Sequence, residues 1–191
     1  MNKKIIILDS EWYSWKGNYW GNNFKYEFRK KNQFPYLICL GYVKFDYNFN
    51  IIEKNKIYFQ QINKLIPLHT KKLTRINEVE IYKKGKNLTY NLSLLRKIFK
   101  DCVIFANGTD EKIINRNFKL NNQNKFKIEN IKIIFKRKYN IPDNYLSSSD
   151  IGSYFGFDNK KPHCPLSDAE SVYEVCKILK FDFQKVKSKK C

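Results

Sequence analysis

The chain has 191 residues, of which 42% are hydrophobic and 16% aromatic, a balance that suits one packed domain and argues against a disordered one. Lys and Arg number 37 against 18 Asp and Glu, a formal net charge of +19 that favours a polyanionic partner, although a general enrichment in lysine would give the same sum. Five cysteines form no CxxC pair, and the apolar run near the start ends at Asp9, too early for a signal-peptide core or a transmembrane span; a soluble, cytoplasmic protein with reduced thiols and no membrane partner is expected.

The first element, Ile5-Ile6-Ile7-Leu8, is too short for a helix and reads as a buried strand ending in Asp9-Ser10-Glu11. Residues two apart on a strand share a face, so Asp9 and Glu11 point the same way, and their repulsion calls for a cation between them. Trp12 to Phe34 reads as a long loop or a twisted hairpin extension. Its Trp12 and Trp15, which leave the acidic strand end, are candidates for stacking on unpaired bases, with plain packing the competing role. Strands over Tyr36 to Phe45 and Ile51 to Phe59, joined by the turn-like Asp46-Tyr47-Asn48-Phe49-Asn50, suggest an antiparallel meander. His69 stands alone and reads as a surface or turn residue.

A helix through Leu88, Leu92, Leu95, Ile98 and Phe99 leads to a strand at Cys102 to Ala106. Asn107-Gly108 breaks that strand, and Asp110 falls in the first turn of the helix that follows. Asn121 to Lys127 reads as a flexible connector, and Asn130 to Phe135 as a last strand. His163 sits between Pro162 and Cys164-Pro165, in a loop that two prolines stiffen. Ser167-Asp168-Ala169-Glu170 has the form of a capping box, so Asp168 also opens a helix, where backbone N–H groups favour its ionised form. The organisation is one domain over residues 1–181 and a basic tail over 182–191; Lys132 to Lys138 and the tail lysines are candidate phosphate contacts.

Carboxylates without paired Cys or clustered His suit Mg²⁺ or Mn²⁺ better than zinc. Two such ions favour phosphoryl transfer, with a nearby neutral histidine taking the proton of the attacking water. In order and spacing, Asp9-x-Glu11, then Asp110, then His163 with Asp168 five residues on, the chain resembles the DEDDh family of 3′-to-5′ exonucleases. The stretches Leu37 to Val43 and Lys72-Leu73-Thr74-Arg75-Ile76 are similar to the branch that contains the histone-mRNA and RNA-interference-type exoribonucleases. The resemblance departs from the family pattern at Trp12-Tyr13, at the spacing from Asn107 to Asp110 and at Pro165.

What the resemblance implies is an α/β, RNase H-like fold with a mixed five-stranded sheet flanked by helices. It implies metal roles for Asp9, Glu11, Asp110 and Asp168, a catalytic role for His163 with Glu11, and substrate contacts at Ser10, Trp12, Trp15, Leu73, Thr74 and Asn107. The implied activity is removal of nucleoside 5′-monophosphates from the 3′ ends of single-stranded RNA, or of DNA, with two Mg²⁺ or Mn²⁺ ions. The alternatives are a DNA proofreading or repair nuclease of the same family, an RNase H-like endonuclease, and a basic nucleic-acid-binding adaptor without turnover.

Overall fold

The structure, a computed structural model, describes residues 4–14, 34–61, 65–122 and 124–185. The isoleucine run forms strand β1 (Lys4–Trp12), which pairs antiparallel with β2 (Leu37–Phe45), itself antiparallel to β3 (Ile51–Gln60). On the other side of β1 lie β5 (Cys102–Ala106) and β6 (Ile128–Asn130), both parallel; the two-residue β4 (Lys86–Asn87) closes the opposite edge. The sheet order is β4-β3-β2-β1-β5-β6, six strands where the sequence implied five, the addition being β4.

Alternation along β1 divides the molecule into two layers. Ile5 and Ile7 face a core shared with α5 (Ile131–Tyr139), α6 (Ile151–Tyr154) and α7 (Pro165–Ile178). Ile6 and Leu8 face a second core shared with α3 (Leu88–Phe99) and α4 (Asp110–Leu120). A smaller cluster joins Ile38, Cys39 and Tyr58 of β2 and β3 to Ile81 of α2 (Glu78–Lys84) and to Ile66 and Ile76, which flank α1 (Leu68–Thr74). No helix among the described residues is long and apolar enough to cross a membrane.

Several sequence expectations change in the structure. The expected last strand from Asn130 is instead α5: Asn130 accepts from the Lys132 N–H at 3.0 Å as an N-cap, and Ile131, Ile134 and Phe135 recur at helical spacing against the core. The strand comes just before it, as β6. The expected capping box at Ser167 is not formed. Helix α7 starts earlier, with Pro165 in its first turn and Cys164 at the cap position, and the Ser167 hydroxyl donates to Asn159 instead. His69 belongs to α1 and is half-buried. The aromatic segment 15–33, with Trp15, and the tail from residue 186 lie outside the described residues.

One close approach sets α7 over the sheet. Gly41 of β2 pairs with Asp9 of β1, and a Cβ added to Gly41 would fall 2.1 Å from the backbone nitrogen of Leu166 and 2.3 Å from the carbonyl carbon of Pro165. Only a residue without a side chain lets the first turn of α7 rest on the strand beside Asp9. Gly41→Ala is therefore expected to lower stability by about 1–3 kcal/mol through overpacking against backbone that cannot give way; urea denaturation compared with the parent protein measures it, and an unchanged midpoint would show that α7 can slide.

Candidate active site

Asp9 and Glu11 come from the end of β1, on the face that carries Ile5 and Ile7 toward α7. Asp110 comes from the first turn of α4, reached from β5 through Gly108, whose φ of 121° suits glycine alone. That turn is anchored by Asn130, which accepts from the Gly108 N–H at 3.2 Å and donates to the Gly108 carbonyl at 2.9 Å. Asp168 comes from the first turn of α7, and its N–H donates to the Cys164 carbonyl at 2.9 Å. Three segments distant in sequence thus deliver four carboxylates to one end of the sheet, with relative exposures of 8% for Asp9, 9% for Glu11 and 3% each for Asp110 and Asp168.

Ligand atoms of Glu11, Asp168 and His163 lie within 4.8 Å of one another, and His163 Nδ1 is 4.0 Å from Glu11 Oε1. Asp9 and Asp110 stand outside this tight trio but within its electrostatic reach. Each is held by a hydroxyl: Ser148 donates to Asp9 Oδ1 at 2.8 Å, while Ser10 donates to Asp110 Oδ1 through its backbone N–H at 2.8 Å and its hydroxyl at 2.5 Å. Asp168 accepts from the side-chain amide of Asn159.

Burial pushes the Asp9 carboxyl well up, and the neighbouring charges of Asp110, Asp168 and Glu11 push it further, with the Ser148 bond opposing. Burial likewise raises Glu11, with Asp168 and Asp110 adding to it. Burial lifts Asp110 to about 6 and Asp168 to about 7 against the hydrogen bonds each accepts. His163 is shifted the other way: burial lowers it below the usual imidazole value and Arg75 adds to that, with Asp150 opposing. That shift keeps the ring neutral at neutral pH, and its side chain, still 41% exposed, is reachable from solvent.

The remaining expected contact residues are dispersed around this centre. Asn107 donates to the Leu146 carbonyl at 2.9 Å and to Ser148 at 3.4 Å, and its buried Oδ1 has no partner among the described residues. The Thr74 hydroxyl is engaged within α1, donating to the Thr70 carbonyl at 2.9 Å and accepting from the Ile76 N–H at 3.2 Å; Leu73 beside it is exposed. Helix α1 is tied to the chain leaving β1 by Thr70, which accepts from the Ser14 N–H at 2.8 Å and donates to the Ser14 carbonyl at 2.9 Å. Trp12 is half-buried against the α3 and α4 layer. Ser148, Asn159 and Asn130 were missed by sequence reasoning. Asn130 had a signal, an Asn before an apolar 3–4 spacing; Ser148 and Asn159 lie in polar loops with none.

No protein-family model matches the chain, and no curated protein matches it. Solved structures do. The nuclease domain of a DEDDh family member bound to rAMP superposes with a TM-score of 0.75 at 17% identity, covering 93% of this chain and 92% of that one. A 3′-exonuclease recognising the 3′ end of a histone mRNA stem-loop gives 0.72 at 17% identity, covering 93% and 82%. E. coli exonuclease I with a dT13 oligonucleotide gives 0.75 at 13% identity; 96% of this chain is covered but only 42% of the larger enzyme. The likeness is one of fold: the chain has the RNase H-like architecture in the form found in DEDDh exonuclease domains.

Proposed function

We propose that the protein is a metal-dependent 3′-to-5′ exonuclease acting on single-stranded ends, with RNA favoured over DNA. The observation that supports this most is the convergence of four buried carboxylates and a neutral, solvent-reachable histidine at one end of the sheet. A buried cluster of like charges has to be neutralised by protons or cations. Among the described residues, the one cationic partner within 4.0 Å of any of the four is His163, itself shifted toward neutrality. The all-oxygen acidic set therefore fits hard divalent cations, Mg²⁺ or Mn²⁺, held by Asp9, Glu11, Asp110 and Asp168. Bound there, such ions supply a more acidic water and stabilisation of the departing oxygen.

The chain's own residues do the rest. Ser10 and Ser148 fix the orientations of Asp110 and Asp9. His163 receives the proton of the attacking water, which bonds to phosphorus as the bond from phosphorus to O3′ breaks and O3′ takes a proton from solvent, leaving a nucleoside 5′-monophosphate and a shortened strand with a new 3′-hydroxyl. Helix α1, with exposed Leu73, lies beside the strand end that carries the acids and forms one wall for the terminal nucleotide. The preference for RNA rests on the sequence likeness to the histone-mRNA branch and on the RNA and rAMP complexes among the fold neighbours; the dT13 complex keeps a DNA nuclease as the second reading.

Timed digestion of 5′-labelled single-stranded RNA and DNA, with Mg²⁺, Mn²⁺ or chelator, tests the reading. A metal-dependent ladder shortening from the 3′ end is expected, abolished in Asp9→Asn and Asp168→Asn because each removes an anionic ligand; intact substrate in every lane would leave a nucleic-acid-binding adaptor. His163→Ala should lower the rate by roughly 10²–10⁴-fold while Mn²⁺ binding persists, and unchanged turnover would make His163 structural.

The raised carboxyls also predict a pH signature. An unfolded Asp titrates near ~3.9, whereas Asp110 and Asp168 titrate at about 6 and about 7 in the folded protein. Between these values the folded state holds more protons than the unfolded chain, so metal-free stability should fall as pH rises from about 4 to about 7. Cations bind the ionised form, so the gain in melting temperature on adding Mn²⁺ should be larger at about pH 7.5 than at about pH 5. Differential scanning fluorimetry at both values, with and without chelator, reads it; equal gains would mean that the ion binds elsewhere.

A further inference from the structure

We propose that Asn159 is a positioning residue that joins the His163 loop to Asp168, so that one side chain sets the proton acceptor and a cation-binding carboxylate together; the inference rests on the nuclease reading above. Asn159 stands in the loop that enters α7, four residues before His163. Its Nδ2 donates to Asp168 Oδ1, and its Oδ1 accepts from the Ser167 hydroxyl at 2.6 Å and from the Lys161 N–H at 3.0 Å. The backbone of His163 also favours the ionised form of Asp168. Asn159 thus ties the start of the His163 loop to the first turn of α7.

This tie matters for two reasons. The amide of Asn159 takes one oxygen of Asp168, which fixes the carboxylate plane and leaves the second oxygen for a cation. His163 has a φ of 61°, a left-handed conformation that a non-glycine residue keeps only where its surroundings fix it. The bonds of Asn159 to Lys161 and Ser167 are those surroundings, together with the Cys164 N–H donating to the Lys161 carbonyl at 3.1 Å. The other two hydroxyl props do not reach this loop: Ser148 serves Asp9 and Ser10 serves Asp110. Among the described residues, Asn159 is the one side chain hydrogen-bonded both to an acid of the site and to the His163 loop.

Asn159→Ala tests the proposal in the full chain through Mn²⁺ affinity by calorimetry and through single-turnover digestion. Mn²⁺ binding and turnover are each expected to weaken by roughly 10–100-fold with KM little changed, and the loss in turnover should shrink in a His163→Ala background, because both changes then remove the same contribution. Ser167→Ala, which leaves the amide on Asp168, should lose much less. Wild-type Mn²⁺ affinity and turnover in Asn159→Ala would overturn the proposal while leaving the nuclease reading intact. Weakened Mn²⁺ binding, with no variant or parent hydrolysing any strand, would sustain the positioning role and sink the nuclease. Should Asn159→Ala fail to fold, the Asn159 side-chain amide of the parent protein gives the answer by NMR: a signal protected from exchange that loses protection in Asp168→Asn supports the bond, and free exchange in the parent refutes it.

Discussion

The burial of four carboxylates at one end of the sheet is the constraint around which the molecule is arranged. Like charges in a poorly hydrated place repel, and burial alone disfavours each ionised form. The fold answers this locally with neutral donors. Ser148, Ser10 and Asn159 each point a hydroxyl or amide at one acid, and the backbone N–H of Ser10 adds to them. These bonds hold the acids in place but leave the net negative charge uncompensated, so the cluster keeps its demand for a cation. A site built for stability alone would have used a lysine, of which the chain has many; among the described residues no lysine or arginine lies within 4.0 Å of the four acids.

The scaffold converts that demand into a fixed geometry. Strand β1 is buried on both faces, with Ile5, Ile6 and Ile7 each fully inaccessible, so its far end cannot move without disturbing two cores. Helix α4 is pinned through Gly108 and Asn130, and α7 through its seat on Gly41. The acids stand on a strand end and on two helix starts, where backbone position is set by packing, while the histidine stands on a loop that borrows its order from α7. That division suits chemistry in which cation ligands must be rigid and the base must be reachable from solvent.

Strong periodicity was legible in the sequence. The isoleucine run, the meander of β1, β2 and β3, the amphipathic α3 and the placement of Asp110 just after Gly108 all follow from local pattern. The failures share a cause. Asn130 to Phe135 is apolar enough for a strand or a helix, and the choice was made by an N-cap bond and by the core positions offered to Ile131 and Phe135. Ser167 looked like a cap, but the Pro165 ring, with its φ already helical, starts the helix earlier and frees the hydroxyl for Asn159. The props of the site were illegible because Ser148 and Asp9 are 139 residues apart and meet only once the chain has folded. No local pattern encodes such a pair.

Charge distribution links the site to its proposed substrate. Several lysines are spent on pairs with exposed acids, among them Lys54 with Glu170, Lys71 with Glu78, Lys84 with Glu80 and Lys136 with Asp143. Each such pair contributes little in water and cancels in the net charge, so the +19 of the whole chain is an excess beyond these pairs, beside a small acidic centre. The two scales act in sequence on a polyanion. At distances near a Debye length the surface attracts a phosphate backbone, while close to the four acids the same backbone would be repelled. On the proposed reading, approach and reaction require opposite local signs, and divalent ions on the carboxylates would reconcile them: the acids would gather the cations, the cations would receive the phosphate, and the basic surface would bring the strand within reach.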